Sequence, residues 1–329
     1  HPGGEAHPGG EAHPGGEAHP GGEAHPTVSL KDVKDGIEVR VDGELFTVYQ
    51  FDVEGTPIFY PVVGPSGENL TRDFPMVEGT EGEEVDHPHH RSIWFGHRDV
   101  NGESFWSVND GHAEVVQQEV RKVEADDESG AAMILTKNEW EKADGTPMAS
   151  DEREYRIQGL GDGQVRLDYT VRIFANRGED LLFGDQKDGI MAIRVAPWMK
   201  LRSRKRVEMG GAMVNSEGHR GDDVWGKRAD WVDYFGTSPK GLVCGVAMFD
   251  HPENLRHPTW WHARSYGLLT ANPFGQGDFE KGVAPENAGE FTLVEGDQLE
   301  LKYAFYFHRG NAEEAEVAEQ YAQFTEGKK

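Results

Sequence analysis

The sequence predicts an all-β protein: a large antiparallel β-sandwich with a short C-terminal helix and an extended N-terminal tail. Three observations lead there. Apolar and polar residues alternate through long runs, Asp-Gly pairs sit between such runs, and no helices alternate with strands in a βα rhythm. IEVRVDGELFTVYQF (37–51) alternates about Asp42-Gly43, a two-residue hairpin signal, and RIQGLGDGQVRLDYTVRIF (156–174) repeats the pattern about Asp162-Gly163. In chain order the further strands are PIFYPVV (57–63), VVQQEVRKVEA (115–125), AAMILTKNEW (131–140), IMAIRVAPWMKL (190–201), LVCGVAMF (242–249) and FTLVEGDQLELKYAFYF (291–307). The helix is NAEEAEVAEQYAQF (311–324), with Asn311 as its cap, Glu314 at the capping-box position, and Val317, Ala318 and Tyr321 on one face. Residues 1–26 read as a repeat tail and 27–329 as one β-sandwich domain.

The 329 residues carry 59 acidic against 33 basic side chains, a formal charge of −26. Such a surface repels phosphate backbones and anionic lipids, which argues against nucleic acid or a membrane surface as partner. No apolar run approaches the ~18 residues of a membrane span, so no membrane insertion is expected. The one cysteine, Cys244, lies in GLVCGVAMF and reads as a small buried core residue. The chain opens on His1 rather than Met, and the expectation is an exported protein, extracellular or periplasmic, whose signal peptide has been removed.

Two stretches concentrate polar chemistry. DHPHHRSIWFGHRDVNGESFW (86–106) brings His87, His89, His90 and His97 together with Asp86, Arg91 and Asp99. On a strand His87 and His89 would share a face, with His90 opposite. Two such imidazoles beside a carboxylate suit a divalent metal or proton exchange with a substrate, while a turn at Pro88 would make them structural. FDHPENLRHPTWWHARSYGLLTANPFG (249–275) offers Asp250, His251, Asn254, Arg256, His257, Trp261, His262, Arg264 and Asn272. Aromatic faces beside amide, guanidinium and carboxylate groups suit a carbohydrate, though the same residues can simply pack. A third stretch, HRGDDVWGKRADWVDYFG (219–236), adds Trp225, Asp233 and Tyr234.

In order along the chain, DHPHHRSIWFGHRDVNG, DQKDGIMAIRVA, VWGKRADWVDYFG and FDHPENLRHPTWWHARSYGLLTANPFG resemble the bacterial family labelled PmoA-like. That label is borrowed from methane oxygenase, although nothing here resembles a membrane copper enzyme. The resemblance implies an exported protein acting on carbohydrates. ENAGEFTLVEGDQLELKYAFYFHRG (286–310) also resembles the last strands of galactose-mutarotase-like supersandwiches. By the same resemblance His87, His89, His90, Arg91 and His97 match one family motif. Asp250, His251, Asn254, Arg256, His257, His262 and Arg264 match another. Asp188, in DQKDGIMAIR, stands where glutamate is more usual, one methylene shorter. The expectation is that His87, His89, His97, Asp188, His257, His262 and Arg264 converge on one concave catalytic site flanked by tryptophans. Arg91, Trp225, Asp233, Tyr234, Asn254, Arg256, Trp261 and Asn272 would bind substrate there.

The tail repeats HPGGEA four times, from His1 and Pro2 onward, and begins it a fifth time. Six is a multiple of the periods of both polyproline II and a β-strand. His1, His7, His13, His19 and His25 therefore share one face of an extended chain, and Glu5, Glu11, Glu17 and Glu23 another. At the ~3.1 Å rise of polyproline II the repeats recur about every 19 Å and together reach ~75 Å. Such an arm suits docking along another copy of the chain, and the same composition also suits a flexible linker or cation capture. Two functional readings follow. One is a secreted, self-assembling protein built on a carbohydrate-enzyme-like sandwich; the other is an exported carbohydrate-active enzyme (an epimerase, lyase or hydrolase) with a flexible tail.

Overall fold

The computed structural model describes residues 25–327. The assembly residues expected at His1, Pro2, Glu5, His7, Glu11, His13, Glu17, His19 and Glu23 lie outside them, and His25 is exposed at their edge. Two eight-stranded antiparallel sheets make up most of the fold. The first runs β1 (Val28–Val33), β2 (Gly36–Val41), β3 (Glu44–Val53), β4 (Thr56–Val62), β5 (Ile93–His97), β11 (Gly189–Arg194), β16 (Leu268–Asn272), β15 (Trp260–Ala263). The second runs β12 (Ala212–Asn215), β13 (Trp231–Thr237), β14 (Val243–Asp250), β18 (Gln298–Arg309), β9 (Gln164–Phe174), β8 (Pro147–Gly161), β7 (Ala132–Glu141), β6 (Glu114–Val123). A two-stranded ribbon pairs β10 (Leu181–Phe183) with β17 (Phe291–Leu293). The all-β antiparallel expectation holds.

Alternation makes the sandwich. Along β8 and β9 every second residue is buried, and the inward rings of one sheet meet those of the other. Phe46 lies 5.4 Å from Phe307, Tyr49 5.1 Å from Tyr155 and Phe59 5.0 Å from Tyr155, each between ring centroids. Each such buried ring stabilises the fold by roughly 1.5–3 kcal/mol relative to exposure. Both Asp-Gly pairs turn as two-residue hairpins, with Val41 opposite Glu44 and Gly161 opposite Gln164. Their positive φ angles, 48° and 81° at Asp42-Gly43 and 54° and 76° at Asp162-Gly163, are what such a turn requires. Cys244 is fully buried on β14.

Two elements differ from the expectation. The strand expected over 190–201 stops at Arg194 and gives way to a 3-10 turn at Pro197–Met199. The C-terminal helix, α2 (Val317–Glu326), starts later than its cap predicts; α1 (Gln276–Phe279) is a single turn. Asn311 does accept N–H bonds from Glu313 and Glu314. Glu316 then adopts a left-handed φ of 54°, which breaks the first turns. The break lets Ala315 and Val317 both pack against Phe249 and Tyr306, and Tyr306 donates its hydroxyl to the Ala315 carbonyl. No helix among the described residues is long and apolar enough to cross a membrane.

The strands β5, β11, β15 and β16 are buried on both faces. Their inner residues join the inter-sheet core, while Trp94, Ala192 and Leu268 pack on the outer face with Trp106. That covered outer face carries the candidate site.

Candidate active site

Residues 87–90 form a turn rather than a strand, closed by the His90 N–H donating to the His87 carbonyl at 2.9 Å. Two fully buried arginines hold it. Arg72 donates to the Asp86 carboxylate at 2.8 Å and to the carbonyls of Asp86 and His87 at 2.7 and 2.8 Å. Arg194 donates to the same carboxylate at 3.0 Å and to His90 Nδ1 at 2.8 Å. Burial alone would raise the Asp86 carboxyl, but the His87 hydrogen bond and the Arg194 and Arg72 charges outweigh it and hold it ionised.

Asp86 Oδ2 in turn accepts from His87 Nδ1. With a carboxylate on Nδ1, that nitrogen carries the proton and Nε2 presents its lone pair. The ring is stacked between His90, at 4.5 Å, and Tyr266, at 5.5 Å, and 28% of the side chain stays open to solvent. His87 holds this position with φ at +44°, a conformation that surrounding contacts must sustain. His89 lies edge-on to both neighbours and against Trp106, and its ring nitrogens have no partner among the described residues. Burial and the His87 and Arg91 charges push it down to about 4, so it is neutral at pH 7. His90, buried beside Arg194, is likewise pushed well down by burial and that charge.

The opposite wall is built on β15. Alternation turns Trp261 and Ala263 inward and His262 outward. Trp225 Nε1–H donates to His262 Nδ1 at 2.8 Å, so the ring proton sits on Nε2, 3.7 Å from Asp188 Oδ1. Burial and the Arg264 charge push His262 down to about 3. Burial would raise Asp188, but the Arg98 bond at 2.7 Å and the nearby Lys187 and His262 charges lower it. The loop before Asp188 is clamped: Asn272 donates to the carbonyls of Gln186 and Lys187, and the Lys187 N–H donates to Asp278. The Arg264 guanidinium lies 5.3 Å from the Trp225 ring centre, a cation–π contact. Beside these walls runs a groove of ≈ 400 Å³, lined by Trp225, Arg264 and Tyr266 together with Arg202, Arg204 and Arg206.

The structure brings His87, His89, Asp188, His262, Arg264 and Trp225 to this face, but the other nine assignments need correction. His97 shares the parity of Ile93 and Phe95 on β5, so it faces the core, 1% exposed, with Nε2 on the Gly184 carbonyl at 2.8 Å. His257 lies in another network, bonded to Asp250 at 2.7 Å and Asp230 at 3.1 Å, where Tyr321 of α2 donates to the Asp250 carbonyl. Arg91 is 1% exposed and donates to the carbonyls of Val53 and Glu54, tying down the β3–β4 turn. Asp233 is fully buried against His308 at 2.6 Å, and the Tyr234 hydroxyl donates to the Arg264 carbonyl. Asn254 bonds Asp250 and the backbone of Lys302; Arg256 donates to the carbonyls of Pro273, Gly289 and Glu290. Trp261 is core, its indole on the Ala229 carbonyl, and Asn272 positions the Asp188 loop without reaching the groove. Among the described residues no three His, Cys, Asp or Glu side chains form a group that could hold a metal ion.

Arg72, Arg98 and Arg194 were not anticipated. Arg194 had a signal: an arginine inside the apolar run IMAIRVA is buried only with a partner. Arg72 and Arg98 had none beyond their charge.

Solved structures similar to the chain include three with low TM-scores. A polysaccharide lyase is 12% identical over 87% of this chain and 33% of its own, with a TM-score of 0.29. A galactose mutarotase related enzyme from Lactobacillus acidophilus is 11% identical over 86% and 97%, with a TM-score of 0.28. A 4-alpha-glucanotransferase from Thermococcus litoralis is 11% identical over 87% and 40%, with a TM-score of 0.29. The chain thus spans about a third of the lyase and two fifths of the glucanotransferase. No curated protein sequence matches it. A family profile does match, over residues 36–323, and it corrects the PmoA-like resemblance drawn from the motifs. The chain belongs to the family of unknown function DUF6807.

Proposed function

We propose that this protein is a carbohydrate-active enzyme that uses the Asp86–His87 pair for proton transfer to and from a sugar held in the arginine-lined groove. The observation that carries the reading is the geometry of that pair. A buried, doubly arginine-bound carboxylate fixes one imidazole nitrogen, and the partly solvent-open ring stacks on Tyr266, which lines the groove. His87 Nε2 takes a proton from a sugar carbon or hydroxyl, and the imidazolium formed is stabilised by Asp86. The electron pair left on the substrate faces the Arg264 guanidinium, which has no ion pair among the described residues. The Tyr266 hydroxyl, kept protonated because burial raises its pKa, is a donor on the same side. The indole of Trp225 and the phenol of Tyr266 supply apolar edges among the polar groups, the combination that sugar rings require.

The test is a panel of mono- and oligosaccharides incubated with the full chain in D₂O and read by NMR. Exchange of a sugar C–H for deuterium, or cleavage of a bond, is expected with the intact protein and not with His87→Ala. Equal turnover by His87→Ala would overturn the assignment of the base. Assembly through the HPGGEA arm belongs to the same proposal and is supported by the six-residue period of the sequence alone.

A further inference from the structure

The groove contradicts the charge of the molecule around it. The chain carries −26 overall, yet positions 202–206 read Arg-Ser-Arg-Lys-Arg, and three of those arginines line the groove with Arg264. The segment is folded back on itself: Arg202 bridges to Glu208, and Val207 donates to the Ser203 hydroxyl at 3.1 Å. The Arg204 N–H is fixed on Glu84 at 2.9 Å, which ties the segment to the loop that carries Asp86. Asp222 is the one carboxylate lining the groove, and it is already bonded to Arg202. Arg204 reaches Asp86 only at 3.5 Å, and that carboxylate is shared with Arg72, Arg194 and His87. Arg206 and Arg264 have neither an ion pair nor a side-chain hydrogen bond among the described residues. Four guanidinium groups thus face one neutralised carboxylate.

Guanidinium forks match the flat, two-oxygen edge of a carboxylate or the oxygens of a sulfate. Phosphate-rich polymers are disfavoured by the acidic remainder of the surface, and the groove is of a size for one or two sugar rings. We propose that the substrate is an anionic saccharide, carrying a carboxylate or sulfate group that Arg206 and Arg264 bind beside His87. This rests on the carbohydrate reading above and goes further by naming the charge the sugar carries.

The experiment is calorimetric titration of the full chain with three oligosaccharides of equal length: galacturonate, sulfated galactose and neutral galactose. At least one charged series is expected to bind ten times or more tighter than the neutral one, and to weaken as salt rises from 20 to 200 mM, concentrations on the order of those that screen surface charge. Arg206→Gln and Arg264→Gln should each cost the charged ligand about tenfold. Which charged series responds separates carboxylate from sulfate. Equal binding of charged and neutral sugars would overturn the anion proposal and leave the carbohydrate reading standing. Absence of binding by any saccharide would overturn both. Inorganic sulfate binding as tightly as the sulfated sugar would reduce the groove to a general anion site and overturn the proposal.

Discussion

Replacing Asp86 with asparagine tests both the fold and the chemistry of the site. The carboxylate is 10% exposed, and its two arginine partners are 0% exposed. The substitution keeps the shape and an acceptor oxygen but leaves two buried guanidinium groups without a counter-charge. Their repulsion is already felt: burial and the Arg194 charge push Arg72 down to about 10. Breaking a buried pair in this way costs about 3–5 kcal/mol. With ~2.1 cal/mol/K of unfolding entropy per residue over roughly 300 ordered residues, that lowers Tm by about 5–8 °C. The pH dependence gives a second check. Asp86 is held below its unfolded value, so its stabilisation is complete above about pH 4 and is lost as the pH falls toward the folded value. The Tm gap between wild type and Asp86→Asn, measured by calorimetry, should be constant from pH 5 to 7 and narrow below about 4. The same variant should lose about a hundredfold in any turnover, because His87 is no longer oriented. A Tm change under about 2 °C at pH 7, or a gap that widens on acidification, would refute the network as described.

Three further outcomes are expected. His257→Ala should leave saccharide binding unchanged and cost roughly 3 kcal/mol of stability at pH 6, since it unpairs the buried Asp250. Burial would lower His257, but the Asp250 and Asp230 contacts raise it, so the deficit should shrink as the pH rises past its folded value, as urea unfolding will show. Turnover or binding should hold constant from neutral pH down to about 5 as far as His89 and His262 are concerned, then fall as they protonate near 4 and 3, in a pH series of kcat/KM. Removing residues 1–26 should leave a folded, smaller species where the full chain forms larger assemblies, by light scattering and electron microscopy. Equal assembly by the truncated chain would assign the repeats to a linker.

What could be read in advance follows the number of faces a strand exposes. β2, β3, β8 and β9 bury one face each, so alternation and the Asp-Gly turns announced them. β5, β11, β15 and β16 bury both, and a strand without alternation looks like any short apolar run. The site lies over those four strands, where the pattern is least informative. Residue type still located His87, His89 and His262, but it could not separate them from His97 and His257, which have the same chemistry and nearby positions in the chain. His97 was recoverable from parity, because Ile93 and Phe95 fix its side of the strand. His257 was not: five residues before His262, it lies where the chain leaves β14, and Asp250 and Asp230 capture it there. The network around Asp86 joins residues 72, 86, 194 and 204, drawn from three segments that only the order β4–β5–β11 makes neighbours. Its cost in buried charge is what makes it informative. Two arginines without exposure would be replaced by apolar residues at little loss, or even a gain, of stability if packing were all that was required. Their presence around one carboxylate argues that the orientation of His87, rather than the stability of the loop, is what the network serves.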